Sequence, residues 1–154
     1  GPEGLRMGQG AAGVVADEDG MIERFAGDAV MVVFNAASDQ ADHAERAARA
    51  ALGFVEASEA IAAGKPNWPR FRVGVNSGPA VIGNVGAIEQ RSFTAIGDTT
   101  NLAARLQTVA EPGRVVIGAT TAAELPGAML EPLGPLDLKG KSEPVQAFLL
   151  ERLG

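Results

Sequence analysis

The chain has 154 residues, 46% of them hydrophobic, with 13 Lys+Arg against 19 Asp+Glu for a formal charge of −6, and no cysteine. That length and apolar content suit one domain that buries its own core, while the negative balance excludes a general nucleic-acid binder and disfavours a membrane surface. Without cysteine there is neither a disulfide framework nor a thiolate metal site.

The lack of cysteine fits a reducing compartment, and the expected location is the cytoplasm, as a domain alone or as the cytoplasmic part of a larger or membrane-anchored protein. No apolar run approaches the length of a membrane span, and Gly1-Pro2 reads as a cloning remnant rather than the start of a signal peptide. Residues from Gly8 to Ala16 are small and weakly helical, and ADEDG, Ala16 to Gly20, closes them as an acidic turn. MIERFAGDAVMVVFNA predicts two short strands about Gly27-Asp28, and its continuous apolar run from Ala29 to Phe34 is of the kind a central strand carries. Between Asp39 and Ala63, the residues Ala44, Ala48, Ala51 and Val55 recur at helical spacing. Asp42, Glu45, Arg46 and Arg49 fill the other side, so a long surface-packed helix is predicted, ended by GKPNWPR.

FRVGVNS alternates, with Phe71, Val73 and Val75 on one face, and Ser77-Gly78-Pro79 turns it into AVIGNVG as a hairpin partner. RSFTAI predicts a third strand. It leads into a helix with Leu102, Leu106 and Val109 as the buried stripe, Asp98 as N-cap and Pro112-Gly113 as its end. RVVIG is a further strand, ATTAAEL a short helix, and LGPLDLKGKSEPVQAFLLERL a closing pair of strands. There is no internal repeat or low-complexity linker, and the irregular alternation predicts an α+β architecture, a mostly antiparallel sheet with helices packed on it.

Chemistry enters at three places. Asn101 and Arg105 form an i, i+4 pair projecting from one helix face, an amide that donates and accepts beside a cationic fork suited to phosphate; the plainer reading is a solvated helix face. Asp28 sits at a glycine-loosened tip between strands, where a carboxylate reaches a divalent cation or simply forms the turn. Lys139 and Lys141 flank Gly140 between two strands, either as holders of a phosphate tail or as ordinary surface lysines. His43, beside Asp42 and Glu45, reads as a solvated helix residue. Trp68, between Pro66-Asn67 and Pro69, reads as a loop anchor.

Together, ERFAGDAVMVVF, FRVGVNSGPAVIGNVG, RSFTAIGDTTNLAARLQTVAEPGRVVIG and LDLKGKSEPVQAFLL resemble, in order, the blocks of the class III nucleotidyl cyclases. That family makes cyclic AMP or cyclic GMP from the nucleoside triphosphate. The resemblance runs from about Ala12 to the C-terminus and implies one catalytic domain over residues 1–154, with a ferredoxin-like sheet. It further implies Asp28 as one of two aspartates holding Mg²⁺ or Mn²⁺, Asn101 orienting the ribose, Arg105 neutralising charge on the phosphates, and Lys139 and Lys141 taking the terminal phosphates. Family domains pair head to tail with the site at the interface, so a homodimer acting on ATP is expected, with no nucleic-acid or membrane partner for this domain.

Two departures stand out. The family's first metal aspartate lies on an N-terminal strand, and nothing before Gly20 looks like that strand; Asp17 and Asp19 read as turn residues, so the domain is expected to be N-terminally truncated. Base selection in the family uses a lysine where Arg24 stands and an aspartate or threonine where Thr94 stands; Thr94 matches a bacterial adenylate variant, while arginine and lysine differ in hydrogen-bond geometry. The expected function is an adenylate cyclase, with a degenerate or truncated cyclase-homology domain serving dimerisation or regulation as the alternative. A diguanylate cyclase is set aside because FAGDAV lacks the Gly-Gly-Asp/Glu-Glu-Phe signature.

Overall fold

A computed structural model describes residues 21–26, 29–34, 40–67, 70–78, 90–137 and 144–154. Met21–Ala26 (β1) and Ala29–Val33 (β2) pair antiparallel, with Met21 opposite Val33 and Ala26 opposite Ala29, as the two-strand reading predicts. Among the described residues β2 pairs only with β1. Val115–Gly118 (β4), a second continuously apolar run, has all four of its residues buried.

The larger sheet has four strands in the order β3-β4-β6-β5, formed by Val73–Val75 (β3), β4, Met129–Leu136 (β5) and Val145–Arg152 (β6). β3 runs parallel to β4, whereas β4 with β6 and β5 with β6 are antiparallel. The mostly antiparallel α+β sheet is therefore present, with one parallel pair that the hairpin reading of FRVGVNS did not anticipate. The proposed hairpin partner, AVIGNVG, lies outside the described residues, as do Trp68 and the segment before Met21.

Two long helices cover the two faces of the sheet. His43–Ala62 (α1) buries Ala44, Ala48, Ala51 and Val55, the predicted stripe, against Val115 and Ile117 of β4 and Leu150 of β6. Its polar side carries Arg46 on Asp42 at 3.0 Å and Arg49 on Glu45 at 2.7 Å, both i, i+4 pairs. Exposed pairs of this kind are screened by solvent and contribute little to stability. His43, at the first position of α1, is partly exposed, with Nε2 3.9 Å from Glu124. Phe54 of α1 meets Phe71 edge to face at 5.3 Å, which ties the helix to the segment entering β3.

On the opposite face, Leu102, Leu106 and Ala110 pack on Val116 and Ala147, with Val109 partly buried beside them. Val116 points away from Val115 and Ile117, as the two-residue period of a strand requires. The helix carrying this stripe, Gln90–Val109 (α2), begins earlier than predicted. RSFTAI is helical rather than a strand, so Asp98 lies inside the helix and not at its N-cap. Phe, Thr and Ile favour strands locally, yet a helix once nucleated extends at one hydrogen bond per residue, and Ala95 stands seven residues before Leu102 in the same repeat. Ala119–Ala123 (α3) is the short helix expected after β4. No helix among the described residues is long and apolar enough to cross a membrane.

Two contacts fix α2. At Gly74 of β3, an added Cβ would run into the carbonyl oxygen of Ala103 and the amide nitrogen of Gln107, so helix and strand backbones touch there and only glycine fits. At the C-terminal end, Arg72 reaches the carbonyls of Thr108 and Ala110 at 3.5 and 3.4 Å, placing a cation at the negative pole of the helix. Beyond it, Gly113 takes φ +82°, and Arg70 binds both Glu59 carboxylate oxygens and reaches the carbonyl of Pro112 at 3.4 Å.

Leu106→Ala, at a side chain with 0% exposure, is expected to cost about 2–5 kcal/mol, and Gly74→Ala about 3 kcal/mol through backbone overlap; urea unfolding followed by circular dichroism measures both. The hydrogen bond from Arg70 holds the Glu59 carboxyl below its ordinary value of 4.5. A depressed carboxyl contributes stability above its unfolded value and loses it as pH falls through the folded one. Below pH 4.5 the native chain should therefore lose stability more steeply than Glu59→Gln, as read from urea midpoints across an acid series.

Candidate functional site

The outer face of α2 carries Asn101 and Arg105, both exposed, on the side away from Leu102 and Leu106. Four residues of helix put them about one turn, or 6 Å, apart along the axis. Among the described residues, neither side chain has a hydrogen-bond or ion-pair partner. This is notable in a chain of charge −6, where Arg46, Arg49 and Arg70 all rest on carboxylates. A planar cation and a two-way amide, side by side on a helix buried along its other face, are equipped for a polar anionic ligand such as a nucleotide phosphate.

The helix is held near this pair by polar contacts from the ends of β3 and β4. Asn76 Nδ2 donates to the carbonyl of Thr99 at 3.0 Å. The Thr120 hydroxyl is shared between the Ser77 carbonyl at 2.7 Å and Asn76 Oδ1 at 3.3 Å. Ser77 and the fully buried Thr121 join their hydroxyls at 2.8 Å. The sequence alone assigns none of these residues to the site; Asn76 reads as part of the alternating strand FRVGVNS and Ser77 as the start of the turn after it. The signal available was an amide and a hydroxyl directly following the alternating strand FRVGV.

Of the other candidates, Thr94 lies on α2 seven residues before Asn101, close to two helical turns, which puts both positions on one helix in place of the strand-then-helix arrangement predicted. Arg24 stands in β1 opposite Met31. Asp28, Lys139 and Lys141 lie outside the described residues, so the structure does not bring them together with the Asn101/Arg105 pair. Among the described residues there is no group of three or more His, Cys, Asp or Glu side chains able to hold a metal ion. An open depression near Glu59, Lys65 and Arg70, about 350 Å³, lies at the C-terminal end of α1 and is lined by none of the candidate residues.

Comparison with known proteins points the same way. The profile of the Adenylate and Guanylate cyclase catalytic domain matches residues 14–152. Adenylate cyclase 1 of Rhizobium meliloti (strain 1021) is 39% identical over 143 residues, covering 88% of this chain and 21% of the relative. Among solved structures, the catalytic core of a rhodopsin-guanylyl cyclase with converted specificity, in complex with ATPαS, superposes with a TM-score of 0.81 at 25% identity, over 97% of this chain and 80% of that one. The adenylyl cyclase CyaB from P. aeruginosa gives a TM-score of 0.74 at 25% identity, over 99% and 84% of the two chains. The chain spans about a fifth or less of the length of the curated relatives it matches.

Proposed function

The chain belongs to the adenylate and guanylate cyclase catalytic domain family, and from that premise we propose that it converts ATP to cyclic AMP and pyrophosphate at the interface of a head-to-tail homodimer. The observation that carries this reading is the exposed Asn101/Arg105 pair, without a side-chain partner among the described residues, on a helix packed through Leu102, Leu106 and Ala110. In the reaction the ribose 3′-oxygen bonds to the α-phosphorus, the bond from that phosphorus to the bridging oxygen breaks, the hydroxyl proton leaves, and pyrophosphate departs. Asn101 orients the ribose for in-line attack, and Arg105 balances the charge that grows on the phosphate oxygens in the transition state. Lys139 and Lys141 hold the terminal phosphates.

Asp28 is the proposed ligand for Mg²⁺ or Mn²⁺, and a divalent cation bound there supplies positive charge to the reacting oxygens. Thr94 and Arg24 are the proposed readers of the base. The 39% identity to an adenylate cyclase and the threonine at position 94 support ATP over GTP; of the two base-reading positions, Arg24 is the one that departs from the adenylate pattern. Both halves of the proposed site, Asp28 and the Asn101/Arg105 pair, are present in a single chain, so two identical copies supply two equivalent sites. The proposed setting is cytoplasmic signalling, with this domain as one part of a longer protein.

The test is cyclic nucleotide production from ATP and from GTP with Mn²⁺. Cyclic AMP from ATP is expected, reduced on the order of 10²-fold or more by Arg105→Ala with a smaller change in KM. A chain that dimerises but makes neither cyclic nucleotide would favour the regulatory, non-catalytic reading.

A further inference from the structure

We infer that Asn76 is a positioning residue for this reaction, acting through α2, an inference that rests on the proposed roles of Asn101 and Arg105. Gly74 lies on β3 and Asn76 directly follows its last residue, two positions on, and both meet α2. Gly74 lets the strand touch the helix backbone at Ala103 and Gln107. Asn76 grips the same helix one turn earlier, at the Thr99 carbonyl. Asn101 and Arg105 alternate with these anchor points along the helix, at Thr99, Ala103 and Gln107, so the roll of the helix about its axis is set where the pair is mounted.

The grip is directional. The Asn76 amide gives its N–H to Thr99 and takes a hydrogen from Thr120, so neither an all-acceptor carboxylate nor an apolar side chain of the same shape meets both demands. There is little room for it to adapt. A Cβ at Gly118 would lie 3.0 Å from Asn76 Oδ1, and one at Gly78 would lie 2.7 Å from Thr99 Oγ1. At a side-chain radius of about 6 Å, a roll of about 10° displaces the outer face by about 1 Å. A misplacement of that size near reacting groups costs up to about 10²-fold in rate.

The experiment compares the unaltered chain with Asn76→Asp, which keeps the Thr120 contact and puts an oxygen against the Thr99 carbonyl. Steady-state kinetics are measured for both, alone and in an Arg105→Lys background, with Glu59→Gln as a control that loosens α1 without touching α2. A kcat lowered about 10-fold or more with KM within about twofold is expected. The same substitution should cost under about threefold once Arg105 is already displaced, because the two act in series. Glu59→Gln should leave kcat unchanged. Equal losses in both backgrounds, or an unchanged kcat, would overturn the inference and leave Asn76 a structural residue only. Amide hydrogen exchange over Thr99 to Arg105 is measured on the same proteins. If the unaltered chain makes no cyclic nucleotide, the functional reading fails, and the exchange data decide the tie on their own: faster exchange in Asn76→Asp supports it, and unchanged exchange contradicts it.

Discussion

Everything proposed for this domain depends on how closely α2 lies on the parallel pair β3–β4. Gly74 allows the helix backbone to rest on the strand, Leu106 closes the space beside it with no exposure, and Ala110 and Val116 complete the contact. One face of α2 is therefore fixed by packing, and the other is free to present polar groups. Burial of the stripe and exposure of Asn101 and Arg105 are two consequences of a single helical period, in which residues three or four apart share a face. A loop bearing the same two side chains would hold them far less exactly than a packed helix does.

The sheet supports this from its other face. Val115 and Ile117 turn toward α1 while Val116 turns toward α2, so β4 is apolar on both sides and sits at the centre of three layers. α1 brings few large side chains, and its alanines let it approach the sheet closely. Its charged side is self-satisfied by i, i+4 pairs. The cations of this acidic chain are thus divided: several are spent on carboxylates or on capping α2, whereas Arg105 stands without a partner among the described residues. A guanidinium without a partner among the described residues is the kind of group a phosphate ester seeks, which is the role proposed for Arg105.

Much of the fold was legible from local pattern. The stripe Ala44, Ala48, Ala51, Val55 predicted α1, Leu102 and Leu106 predicted the buried side of α2, and the closing pair of strands followed from its turn residues. RSFTAI was misread because Phe, Thr and Ile carry strand propensity, while the helical hydrogen bonds that override it depend on the segment that follows. The parallel pairing of β3 with β4 was not legible, since a strand's partner is a non-local property. The same is true of Asn76: its partners lie 23 and 44 residues away in sequence, and no short window shows that the amide grips Thr99. The Asn101/Arg105 pair was visible as a motif, but that no carboxylate among the described residues competes for it needed coordinates. The β1–β2 pairing was foreseen, whereas Asp28 between the strands, like Lys139 and Lys141, lies outside the described residues and stays a proposal from resemblance.

The central claim is that each active site takes Asp28 from one copy of the chain and Asn101 with Arg105 from the other. Mixing two inactive homodimers, Asp28→Ala and Arg105→Ala, tests it most directly. Random exchange makes about half of the dimers mixed, each with one intact site of two, so about a quarter of the native cyclic AMP production is predicted to return. No recovery, under conditions where subunit exchange is verified, would contradict a shared site.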